Sequence, residues 1–158
     1  MQAFFFKVLG VSWFSYVLHA SIFNFIISIS TYSILRYFGL LANLSFLYAF
    51  CVAALTYPTA GTPFSDHHTL IFCILSLYLF FITIKTNNKF FWFLIPFLLG
   101  FSFLSKQAPT AYIILLISFL SLIFFFYKKD FSGLIFSTIG LLVFIFIFIK
   151  SNYYREKL

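Results

Sequence analysis

Asp66, His67 and His68 stand together in a chain that has only three acidic residues and three histidines. Aspartate and histidine side by side bind divalent metals or exchange protons near neutral pH. Neighbouring positions on a helix point in different directions, so at most one of the two histidines is expected to share a site with Asp66. That makes two ligands, fewer than the three protein ligands of a catalytic zinc, so a divalent metal is an option and not an assigned cofactor. Ser65 and Asp66 also suit the N-cap of a helix, where the dipole favours an anion. Capping accounts for Asp66 but not for two adjacent histidines.

Lys106 and Gln107 form the second constellation, followed closely by Pro109. One reading is a lysine that snorkels at a helix end, with the proline in the first turn of the next helix. The other is a phosphate contact, in which Lys106, Gln107 and a helix N-terminus bind an anion. His19 and Asn24 lie inside an apolar run. Asn24 is expected to make a packing hydrogen bond, and His19 is positioned to join the Asp66 site.

The elements that carry these residues follow from composition. Of 158 residues, 63% are hydrophobic and 8% charged, with a mean hydropathy of +1.09. A soluble domain has about 25% charged residues, so a soluble enzyme, a nucleic-acid-binding domain and a disordered tail are excluded. The net charge of +7 comes from cations placed between apolar runs, a pattern of membrane topology and not of phosphate-backbone binding. Cys51 and Cys73 both fall in apolar runs and are expected to be buried free thiols. The 28 phenylalanines keep no regular spacing and read as lipid-facing residues. No signal-peptide pattern opens the chain.

The charges divide the sequence into about six apolar segments, each near the ~20 residues needed to cross a bilayer. Spans are expected at 14–35, 40–57, 67–84, 90–105, 107–127 and 131–149. Trp13, Tyr16, Tyr32 and Tyr37 would form aromatic belts on the first. Pro58, Gly61 and Pro63 end the second. The fourth reaches only ~24 Å and needs snorkelling lysines or a thin bilayer; Pro96 and Gly100 should bend it. Gly133, Ser137 and Gly140 share one face of the sixth and predict a close helix contact. The expected fold is all-α, a single transmembrane domain over 1–158. Six crossings put Asp66, His67, His68 and Lys106 on one membrane face, which the excess of cations in the opposite short loops makes the outer one.

The order of these features resembles a known family. A proline-ended helix precedes a loop with Asp66, an apolar helix and a basic turn follow, and then the sequence from Trp92 to Pro109 reads WFLIPFLLGFSFLSKQAP. This is similar to the central membrane region of GT-C glycosyltransferases of the protein mannosyltransferase and aminoarabinose transferase type. Asp66, Gly100 and Lys106 match the family's loop aspartate and its G-l-x-x-L-x-K helix. The resemblance covers about two thirds of the chain.

The resemblance implies transfer of a sugar from a polyprenyl-phosphate donor to an acceptor outside the cytoplasm, in a bacterial plasma membrane. Asp66 would assist the site, His67 or His68 would contact substrate or a metal, and Lys106 with Gln107 would hold the phosphate. His19 stands where the family has an arginine. The family's acidic motif, in the first outer loop, is not in this chain, so the chain is expected to be part of a longer GT-C protein. The competing expectation is a non-enzymatic membrane subunit or transporter component, in which Asp66 is a cap and Lys106 snorkels. Oligomeric state is not legible from the sequence.

Overall fold

A computed structural model describes the backbone of residues 2–56 and 65–155, and the side chains of 4–56 and 68–150. Residues 58–64 of the expected loop and the side chains of Asp66 and His67 lie outside the described residues, and Ser65, expected in that loop, is the first residue of a helix. Seven helices occur among those described: α1 (Gln2–Leu9), α2 (Trp13–Tyr37), α3 (Ala42–Thr56), α4 (Ser65–Thr86), α5 (Lys89–Ser105), α6 (Gln107–Lys128) and α7 (Ser132–Arg155). The chain forms two compact units, Met1–Leu75 and Ser76–Leu158.

The chain is a helical membrane protein. Segments Trp13–Tyr37, His68–Thr86, Gln107–Lys128 and Ser132–Lys150 are long and apolar enough to cross a bilayer. The stretches expected as second and fourth spans form shorter helices, α3 of 15 residues and α5 of 17. The first residues form α1, a helix the charge spacing did not announce.

The burial pattern suits lipid as solvent. Phe25, Phe46, Phe50, Phe119, Phe126 and Phe146 are exposed, while Ser15, Thr31, Ser45, Thr83, Ser102 and Thr110 are buried. Apolar side chains gain nothing by leaving lipid, so small polar residues that permit close packing and hydrogen bonding collect inside. Cys73 is buried as expected. Cys51 is exposed instead, because an apolar run alone does not distinguish a lipid-facing position from a packed one.

In the first unit, Ser12 caps α2 by accepting from the Ser15 amide at 3.2 Å. The Ser15 hydroxyl donates to Gly10 O at 2.7 Å, tying α1 to α2. Gly39, at φ +91°, turns the chain out of α2. Asn24 makes the packing bond expected of it: Nδ2 donates to Ala53 O at 2.8 Å, and Oδ1 accepts from Thr56 Oγ1 at 2.6 Å, joining α2 to α3.

In the second unit, α5 lies against both α6 and α7. The core is Phe80, Trp92, Ile95, Leu99, Ile117 and Phe125. The small-residue face of α7 meets α5 as expected. A Cβ on Gly140 would run into the backbone carbonyl of Phe93, and one on Gly133 would lie 2.6 Å from the Phe125 ring and 2.7 Å from Trp92 Nε1. Helix α5 continues through Pro96. Proline has no N–H to give the carbonyl four residues back, and that carbonyl, Trp92 O, accepts from Ser137 Oγ of α7 at 3.2 Å.

The polar turns of this unit cluster by helix end. Asn88 caps α5 by accepting from the Phe90 amide at 3.0 Å. Asp130 accepts from the Ser132 amide at 2.9 Å and from Asn87 Nδ2 at 3.2 Å. The turn before α5 and the turn before α7 therefore meet at one end of this unit, and Lys106 lies at the other end of α5.

Candidate functional site

Three histidines in an apolar chain each need a reason to be where they are. Two of them meet. His19 Nε2, on α2, lies 3.2 Å from His68 Nε2, in the first turn of α4. Both rings are buried, His19 completely and His68 at 8% exposure. They belong to the same unit, although 49 residues separate them in sequence.

Aromatic side chains pack around the pair. Phe5 of α1 stacks on His19, with centroids 4.5 Å apart. Phe23 stands edge-on to both imidazoles, 4.9 Å from His19 and 5.2 Å from His68. Phe72 touches Phe23 at 6.3 Å. Phe23 follows His19 by one helical turn, and Phe72 follows His68 by one turn, so each pair shares a helix face. The spacing was available in the sequence, but among 28 phenylalanines it carried no distinguishing signal. Phe5 was invisible for a different reason: nothing in the composition marks residues 2–9 as a helix that folds back on α2.

Two neutral imidazoles at this separation share one hydrogen, with one Nε2 donating and the other accepting. The arrangement can pass a proton between the rings or exchange that hydrogen for a metal. Asp66 and His67 lie on the same first turn of α4, and their side chains are outside the described residues.

Lys106 and Gln107 belong to the second unit. Lys106 is at once the C-cap of α5 and the N-cap of α6, in an extended conformation. Its amide donates to Ser102 O at 3.0 Å, and its carbonyl accepts from Thr110 Oγ1 at 2.8 Å. Ser102 and Thr110 hydroxyls are 2.7 Å apart and buried beneath the junction. The backbone of Lys106 is thus fixed on both sides, while its side chain and that of Gln107 are exposed. Pro109 lies in the first turn of α6, where its missing N–H costs nothing.

A cleft of about 420 Å³ opens between α6 and α7 with α5 as its floor, lined by residues including Pro96, Gly100, Ser118, Ser137, Leu141 and Phe144. Its lining is almost wholly apolar, so it offers hydrocarbon contact and a few hydroxyls, with no charged group. It runs beside the end of α5 that carries Lys106, since Phe103 and Leu104 also line it.

Compared with models of protein families, with curated proteins and with solved structures, the chain matches none.

Proposed function

We propose that this chain is the membrane region of a glycosyltransferase, transferring a sugar from a polyprenyl-phosphate donor to an acceptor on the non-cytoplasmic face of a bacterial plasma membrane. In this reading α3 and α5 also cross, giving six crossings of GT-C type, with Lys89 and Lys106 at the ends of α5 and a locally thin bilayer around both shorter helices. The chain would act as a single transmembrane domain of a longer protein.

The observation that carries the reading is the buried His19–His68 pair at the head of α4. Buried ionisable side chains inside a membrane protein are expensive and characteristically functional. Sugar transfer from a phosphate carrier needs a group that handles the acceptor's proton and cations that stabilise the leaving phosphate. His68, with Asp66 and His67 on the same turn, would supply the first. Lys106 and Gln107, at the N-terminus of α6, would supply the second. His19 would hold His68 in place, and the apolar cleft beside α5 suits the hydrocarbon tail of a lipid carrier.

The test is transfer of labelled sugar from polyprenyl-phosphate donors in membranes that carry the full-length gene. Wild type would be compared with Asp66→Asn, His68→Ala and Lys106→Ala at matched protein level. The expected result is transfer by wild type and a fall of at least ~100-fold in each variant, the usual scale for a positioned acid, base or electrostatic group. Transfer indifferent to all three substitutions, or no transfer from any donor, would instead favour a non-enzymatic membrane subunit.

A further inference from the structure

We infer that His19 and His68 form a binding site for a divalent transition metal of the zinc class, held through their two Nε2 atoms. The separation of those atoms is 3.2 Å. Metal–nitrogen bonds of ~2.0–2.1 Å span that separation at an angle of about 100–106° at the metal, close to tetrahedral. The separation of the two nitrogens is therefore the one that a shared tetrahedral ion requires.

The exchange balances without a redox or proton-transfer partner. Each neutral imidazole carries one hydrogen. In the metal-free pair one ring holds its hydrogen on Nε2, between the rings. In the metal-bound pair that hydrogen sits on the Nδ1 of the same ring, and both Nε2 lone pairs face the ion. Among the described residues no third His, Cys, Asp or Glu completes a protein ligand set. Phe5 and Phe23 pack against the imidazoles and hold the rings in register, as a hydrophobic shell does around a metal centre. The inference rests on this distance and burial; with the metal bound, His68 has no free lone pair for the acceptor's proton, a role that then falls to Asp66 or His67 on the same turn.

The full-length protein, purified in detergent micelles and stripped with a chelator, would be titrated with Co²⁺. This ion reports tetrahedral coordination by intense visible absorption. Wild type should bind one equivalent with that signature, and Zn²⁺ should displace it. Loss of an outer-shell partner costs about 10–100-fold in metal affinity, so loss of a direct ligand in His19→Ala or His68→Ala should weaken binding by more than about 100-fold. His68→Cys should keep the metal and add a thiolate-to-cobalt charge-transfer band, which keeps the test decisive if the alanine variants fail to fold. Absence of stoichiometric tetrahedral cobalt in wild type, binding unchanged in both alanine variants, or a folded His68→Cys without the new band would overturn the site. Cobalt binding without sugar transfer would remove only the transferase reading, and sugar transfer without cobalt binding would remove only the metal.

Discussion

The Ser137 hydroxyl donates to the Trp92 carbonyl at 3.2 Å, four residues before Pro96, which has no amide hydrogen to offer that carbonyl. A side chain on α7 thereby satisfies the backbone group that a proline in α5 leaves open, as lipid-embedded helices require. Side-chain hydrogen bonds between membrane helices average ~0.6 kcal/mol and reach ~1.7. Ser137→Ala should cost an amount in that range. In a Pro96→Ala background, where an amide returns to Trp92 O, the same substitution should cost almost nothing. Reversible unfolding in mixed micelles measures both, and equal costs in the two backgrounds would refute the coupling.

Gly140 and Gly100 predict an unequal pair of alanine effects. The new methyl at 140 would meet the Phe93 backbone carbonyl, and the one at 100 would meet the Phe144 ring. A ring can swing aside, whereas a helix backbone can yield only by separating α5 from α7. Overpacking of this kind typically costs ~1–3 kcal/mol. Gly140→Ala should sit at the upper end and Gly100→Ala below it. A larger loss at 100 than at 140, in the same unfolding assay, would contradict this packing.

The histidine pair predicts non-additive stability. Removing one ring leaves the other buried beside an apolar side chain, which costs ~1–3 kcal/mol for the lost partner. Replacing both removes the polar groups together. His19→Leu and His68→Leu should each destabilise the metal-free protein more than the double variant does relative to either single one. A double-mutant cycle in chelator gives the coupling directly, and strict additivity would mean that the rings do not interact.

Asp130 connects electrostatics to the turn before α7. Hydrogen bonds from the Ser132 amide first, then from the Ser132 and Asn87 side chains, with Lys89 nearby, hold its carboxyl below the ordinary value. A depressed carboxyl contributes stability that is present above the unfolded pKa, near 3.9, and is lost as pH falls through the lower folded value. The turn should therefore keep its structure at pH 5 (roughly one unit above the unfolded value) and loosen only in stronger acid. Carboxyl NMR shifts of Asp130 across the acid range test this, and a midpoint at or above the ordinary value would count against the bonded geometry. Asp130→Asn should flatten the acid response.

Asn24 supplies a last comparison. It bridges Ala53 O and Thr56 Oγ1, so Asn24→Leu should loosen α3 from α2, by about 0.6–1.7 kcal/mol for each of the two bonds lost. Cysteine accessibility at Ala53, engineered as Ala53→Cys, should rise in that variant.

Local physics was enough for much of this molecule. Hydropathy and the spacing of charges determine an all-helical membrane protein, because each apolar run must satisfy its own backbone hydrogen bonds in lipid. The face shared by Gly133, Ser137 and Gly140, and the inward role of Asn24, were legible because helical period and side-chain polarity are properties of a few residues. Tertiary structure alone decided the rest. Hydropathy does not separate a lipid-facing position from a packed one, so Cys51 and Cys73 read alike and lie differently. Nor can a sequence by itself bring His19 to His68 across 49 positions, because that meeting depends on how α2 and α4 pack, which is a sum over many contacts that no local pattern encodes.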